Sequence, residues 1–270
     1  MDSLTFTFKM YLRRCLARMV FAFHRSPHQI RAIRVLSYHD ISDDAVPGDW
    51  AQMTTPKPLF AAQMAWLKQA GYQVLDACEA VEVLSGRKVW PVAPPVVLTF
   101  DDAFQSYLTN AWPILERHGF PSTLFLPTGL VEREGGRLRW AEIQRLVNSG
   151  LVSCGSHTVT HRRLRNLQQD EVAREVRDSK RHLEDRLQRP ITLFAYPYGS
   201  YNAFDNSTVA VVAGLGFRAA FTTIAGLNRV RTDLFRLCRT RISWVDQPRD
   251  FELAMAGAFD WYAGYQWMTS

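Results

Sequence analysis

The chain has 270 residues, 47% of them hydrophobic, and a formal net charge of +6, proportions that suit one large globular domain or two small ones with a substantial core. The charge excess lies in residues 1–34, where Lys9, Arg13, Arg14, Arg18, Arg25, Arg31 and Arg34 face the single acid Asp2, so the body is close to neutral and a nucleic-acid-binding body is excluded. Cys15, Cys78, Cys154 and Cys238 make no Cys-x-x-Cys pair, which excludes a disulfide framework and a cysteine-rich zinc module.

In chain order, residues 1–30 come first. At about 100° per residue, Phe8, Leu12, Cys15, Leu16, Met19 and Phe23 share one side of a helix, with Arg14, Arg18 and Arg25 on the other. This basic amphipathic segment suits residues 1–25 to an anionic membrane surface, and equally suits a helix packed on its own domain. Arg13, Arg14 and Arg18 interrupt the apolar run, so no cleavable signal is expected. The expected location is peripheral at a membrane or cytoplasmic, with the cell envelope as the alternative.

Residues 31–270 read as one catalytic-sized domain. Apolar or β-branched runs predict strands at Ile33–His39, Tyr72–Leu75, Val96–Phe100, Ser122–Leu126, Leu151–Cys154, Ile191–Tyr196, Ala219–Thr222 and Leu237–Ile242. Helical periodicity fills the gaps at Leu59–Ala70, Phe104–His118, Ala141–Asn148, Asp170–Gln188 and Asp205–Ala213. Such alternation indicates an α/β fold around a mainly parallel sheet, either a barrel or a doubly wound sheet.

In both architectures functional groups gather where strands end, and the chain places its notable polar residues there. The stretch VVLTFDDAFQSYL ends a strand on Asp101 and Asp102. Strand alternation sends neighbouring side chains to opposite sides, so two distinct tasks are expected of this pair rather than a facing carboxylate pair. In CGSHTVTHRRL, His157 and His161 are four apart, a spacing that lets two imidazoles meet one ion, although a capped turn with two surface histidines has the same sequence. LFAYPYGSYN reads by itself as a strand and a Pro-Tyr-Gly turn.

Taken together and in order, TFDD (Thr99–Asp102), SHTVTH (Ser156–His161) and the Tyr-Pro-Tyr-Gly run (Tyr196–Gly199) resemble the first three motifs of the polysaccharide deacetylases, carbohydrate esterase family 4. VLSYHDI at residues 35–41 and the FAYPYG form most resemble the branch acting on poly-N-acetylglucosamine. The resemblance covers Arg34 to Ile242. It implies a distorted (β/α) barrel and a metal-dependent deacetylase of an N-acetylated polysaccharide or oligosaccharide. Asp101 would be the general base, and Asp102, His157 and His161 would hold a divalent metal ion, with Zn2+ the expected one. The backbone N–H of Tyr198 would donate to the oxyanion. The alternatives are a peptidoglycan or chitooligosaccharide deacetylase and a non-catalytic carbohydrate-binding relative.

Two features depart from the family pattern. No late Leu-x-His motif exists, since the last histidine is His182, and Phe194 stands where an arginine often precedes the third motif. His39 is therefore the candidate general acid, with Asp40 beside it as a possible orienting group, while a hydrogen-bonded core histidine is the alternative. Pro197, Tyr201, Trp244 and Asp246 are expected to line the substrate site. Trp140 offers a further stacking surface, and Trp261, Tyr262, Tyr265 and Trp267 are expected to pack in the core or face a membrane.

Overall fold

The computed structural model describes residues 31–43, 53–133, 135–242 and 248–268. The basic segment 1–30, Trp244 and Asp246 lie outside the described residues.

The core of the molecule is a parallel sheet. Its strands are β1 (Arg34–Tyr38), β4 (Gln73–Leu75), β5 (Pro95–Asp101), β6 (Ser122–Leu126), β7 (Val152–Ser156), β8 (Leu193–Ala195), β9 (Ala219–Phe221) and β10 (Thr240–Arg241). They run in the order β10-β1-β5-β6-β7-β8-β9, with β4 beside the start of β5. β2 (Asp40–Ile41) and β3 (Thr54–Thr55) form a small separate pair. The sheet curls toward a barrel, because the segment 237–241 touches both ends: Leu237 bridges to Phe221 of β9, and Thr240 pairs with Leu36 of β1. This distinguishes the barrel from a doubly wound sheet.

Alternation along β5 divides the core. Val96, Leu98 and Phe100 belong to the large cluster shared with the helices, whereas Val97 packs in a second cluster with Val35, Phe125, Leu193, Ala219 and Phe221. The helices are α1 (Lys57–Gln69), α2 (Ala77–Leu84), α3 (Trp112–His118), α4 (Trp140–Asn148), α5 (Gln169–Leu187), α6 (Asn206–Gly214), α7 (Pro248–Met255) and α8 (Tyr262–Met268). In α5 the buried set Val172, Val176, Ser179, Leu183 and Leu187 recurs every three to four residues, so one stripe covers the sheet and the charged remainder faces water.

Several expectations require correction. The helix expected over Phe104–His118 is interrupted by a π-helical turn, Tyr107–Ala111, before α3. There the Tyr107 hydroxyl bonds Ser122 Oγ at 2.8 Å and Asn110 Nδ2 donates to the Ile41 carbonyl at 2.7 Å; these tertiary anchors fix a register that an unbroken α-helix would shift. Trp140 is no stacking surface: it is buried against His182, with ring centroids 5.1 Å apart. In the late aromatic cluster Trp261 and Trp267 are exposed, so they do not pack in the core. Helices α2, α7 and α8 were not expected from the sequence.

Candidate active site

Strand β5 ends at Asp101, and the chain then turns through Asp102 at φ 70° and Ala103 at φ 56°. This left-handed turn, and not strand alternation, sets the direction of the second carboxylate. The two aspartates nevertheless have different partners, as a division of tasks requires.

Asp101 points into the barrel, where both its oxygens accept hydrogen bonds from Arg239, each at 2.8 Å. The Arg239 side chain is 0% exposed and also donates to Thr222 O at 2.8 Å and Thr99 Oγ1 at 3.2 Å. Burial by itself would raise the carboxyl pKa, but the Arg239 guanidinium, aided by His157 and His39, outweighs it and holds Asp101 well below the usual carboxylate range. Arg239 thus fills the place left by Phe194, which is buried against Tyr196 and Phe217. Sequence reasoning missed it. The available signal was a charged residue inside an apolar segment, Leu237–Ile242, already expected to be a strand.

His39 sits with Nε2 3.8 Å from Asp101 Oδ2, and its Nδ1 is buried without a hydrogen-bond partner. Burial lowers its pKa, against the pull of Asp101 and Asp102. Asp40 does not orient it, because its carboxylate accepts from Ser106 Oγ at 2.5 Å and Thr54 Oγ1 at 3.2 Å.

Asp102 faces the two histidines. Its Oδ1 lies 3.3 Å from His161 Nε2 and 3.8 Å from His157 Nε2. Left-handed Thr158 and His161, at φ 67° and 59°, form the tight loop that brings the imidazoles together. His157 Nδ1 donates to the Ala195 carbonyl at 2.7 Å, which fixes the tautomer and leaves the Nε2 lone pair toward Asp102. Burial, reinforced by His161 and opposed by Asp101, lowers the His157 pKa to about 4.

These residues fit a divalent ion. One ligand atom from each of Asp102, His157 and His161 lies within 4.8 Å of the others, and Asp102 Oδ1 is buried without a hydrogen-bond donor. Two atoms each about 2.1 Å from a shared tetrahedral ion stand about 3.4 Å apart, close to the observed separations. Two imidazoles and a carboxylate suit zinc and other first-row metals and leave coordination positions open.

The third motif forms the opposite lip. Tyr198 and Gly199 are left-handed at φ 62° and 59°, and Thr223 holds the turn by donating from N to Gly199 O at 2.9 Å and from Oγ1 to Tyr198 O at 2.6 Å. Among the described residues the Tyr198 N–H has no protein acceptor. The Tyr198 ring is 49% exposed, 5.0 Å from the His161 ring, and covered by the Arg163 guanidinium at 4.4 Å. Pro197 is buried and Tyr201 half-buried in the same loop.

The polysaccharide deacetylase family model matches residues 89–220, a span that holds Asp101, Asp102, His157, His161 and Tyr198 but neither His39 nor Arg239. YxkH of Bacillus subtilis (strain 168) is 29% identical over 209 residues, covering 77% of this chain and 71% of its own length. The poly-beta-1,6-N-acetyl-D-glucosamine N-deacetylase of Escherichia coli (strain K12) is 26% identical over 71% of this chain, which spans 34% of that protein's length. The Streptococcus pyogenes deacetylase PplD, solved in complex with acetate, superposes with TM-score 0.73 at 27% identity, over 83% of this chain and 98% of its own. IcaB from Ammonifex degensii gives TM-score 0.73 at 25% identity, over 85% and 98%. Shared motifs, a shared barrel and the family match lead to one conclusion: this chain carries a polysaccharide deacetylase domain.

Proposed function

We propose that the protein hydrolyses N-acetyl groups on N-acetylhexosamine units of a surface polysaccharide or its precursor, using zinc held by Asp102, His157 and His161. The observation that carries this reading is the buried pairing of an Arg239-held carboxylate, Asp101, with a three-ligand cluster on the adjacent residue. The poly-N-acetylglucosamine deacetylases among its relatives support the substrate class.

When bound, the ion would polarise the acetyl carbonyl and make a water more acidic. Asp101, kept ionised by Arg239, accepts the proton of the attacking water. His39, whose Nε2 lies 3.8 Å from Asp101 Oδ2, takes up that proton in this reading and delivers it to the departing amine. One proton leaves the water and one reaches the amine, so the transfer balances. The Tyr198 N–H donates to the oxygen on which negative charge develops, and its fixed left-handed turn presets that donor. The exposed Tyr198 ring, together with Pro197, Tyr201, Trp244 and Asp246, lines the sugar site in this reading. Residues 1–25 would hold the enzyme at an anionic membrane surface.

Acetate release from β-1,6-linked N-acetylglucosamine oligomers, chitooligosaccharides and peptidoglycan fragments tests the proposal. Release from the first group in preference to the others supports it. Preference for either of the others reassigns the substrate, and glycan binding without acetate release from any of them would make the protein a carbohydrate-binding relative.

A further inference from the structure

The turn that aims Asp102 is made of two consecutive left-handed residues that carry a Cβ. Aspartate tolerates that conformation as a single residue but alanine does not favour it, so surrounding contacts must hold the pair. Asp102 N donates to Phe125 O of β6 at 3.2 Å, and the remaining contacts come from one strap, residues 135–138 in the connection between β6 and α4, which enters through left-handed Gly135 and Gly136 at φ 96° and 82°. Leu138 N donates to Ala103 O at 2.8 Å and Gln105 N donates to Gly136 O at 2.7 Å, so strap and turn pair like a short antiparallel ladder. At its centre the half-buried Arg137 does two things. Its Nη1 donates to the backbone carbonyl of Asp102, and its guanidinium lies 3.9 Å over the Phe104 ring.

We infer that Arg137 is a positioning residue for the metal centre: by gripping the Asp102 carbonyl and the Phe104 ring it holds the left-handed turn that presents the Asp102 carboxylate to His157 and His161. This rests on the proposed metal-binding role of those three residues. A planar guanidinium suits the task because one group both stacks on an aromatic face and donates in its own plane, which an ammonium does not.

The sign of a metal-affinity change separates positioning from simple electrostatics. Arg137 carries a positive charge near Asp102. If charge were its only influence, removing it would tighten cation binding. If it positions Asp102, removing it loosens the site, and partners behind metal ligands are worth about 10- to 100-fold in affinity.

The test is zinc affinity, measured by competition with a chromophoric chelator, for the full chain and for Arg137→Met, Arg137→Lys, Phe104→Leu and Asp102→Asn. Thermal melts of the metal-free proteins would set a temperature at which all are folded. We expect Arg137→Met to bind about 10- to 100-fold more weakly, with Phe104→Leu and Arg137→Lys between it and wild type, since each keeps one of the two contacts. Affinity for Arg137→Met that equals or exceeds wild type overturns the positioning role while leaving the metal site standing. Failure of wild type to bind zinc, or equal binding by Asp102→Asn, overturns the metal reading and this inference with it.

Discussion

Replacing Arg239 by Met tests how Asp101 is kept ready. In the folded protein both Arg239 and Asp101 are cut off from water and share two 2.8 Å hydrogen bonds. The substitution keeps most of the apolar volume but leaves a buried carboxylate without its cation, and loses the bonds to Thr222 and Thr99. Removing one partner of a buried pair costs about 3–5 kcal/mol. For a domain of this size each kcal/mol lowers the melting midpoint by about 2–4 °C, so a fall of about 6–20 °C is expected. The double variant Asp101→Asn/Arg239→Met removes the stranded charge and should recover part of that loss. A four-way thermal and urea cycle would then return a coupling of about 2 kcal/mol or more. Acetate release by Arg239→Met should fall along with stability. A midpoint within about 2 °C of wild type, or additive single effects, would refute the claim that this ion pair organises the site.

Other consequences follow from neighbouring features. Metal-free protein should lose stability in acid: the folded pKa of His157 lies at about 4 and that of Asp101 below the usual range. Both depressed groups contribute fully above their unfolded pKa values, and the contribution is lost as pH falls from about 6.5 through 4 and below; a flat urea midpoint from pH 7 to 4 would contradict this. Gly199→Ala should abolish activity and destabilise the fold, because a Cβ there would lie 2.6 Å from Thr223 N at a left-handed φ of 59°; a wild-type melting curve would count against the close approach of these loops. Burial pushes the Cys78 thiol up to about 12 and Cys238 to about 11, so in a Cys15→Ser background a disulfide reagent at pH 8 should react over about a hundredfold more slowly than with free cysteine, and rapid labelling of a native thiol would contradict that. Deleting residues 1–30 should leave acetate release unchanged and reduce sedimentation with anionic vesicles. Undiminished binding would remove the membrane role.

The strands could be anticipated because a parallel sheet buries both faces, leaving β-branched runs such as VVLTF that differ plainly from the charged stripe of α5. The residues at strand ends were visible for the same reason, since Asp101, Asp102, His157 and Tyr198 interrupt or follow those runs. What stayed hidden depends on tertiary geometry. The left-handed pair Asp102–Ala103 has no local signature, because Ala does not favour that conformation and distant contacts, from Phe125 and from the strap at residues 135–138, impose it. Arg239 was overlooked because the partner of Asp101 was sought just before the third motif, whereas the closing stave of the barrel supplies it from 138 residues away in sequence. Trp140, at the start of α4, gave no sign that α5 would cover it.

The most direct test of the central claim is acetate release from N-acetylglucosamine oligomers by zinc-loaded wild type and by Asp101→Asn. The account predicts steady release by wild type and a loss of about 100- to 10,000-fold in the variant, the range expected for a missing general base, with its zinc content unchanged. Equal rates from the two proteins would show that Asp101 does not take the proton, and would contradict the mechanism at its first step.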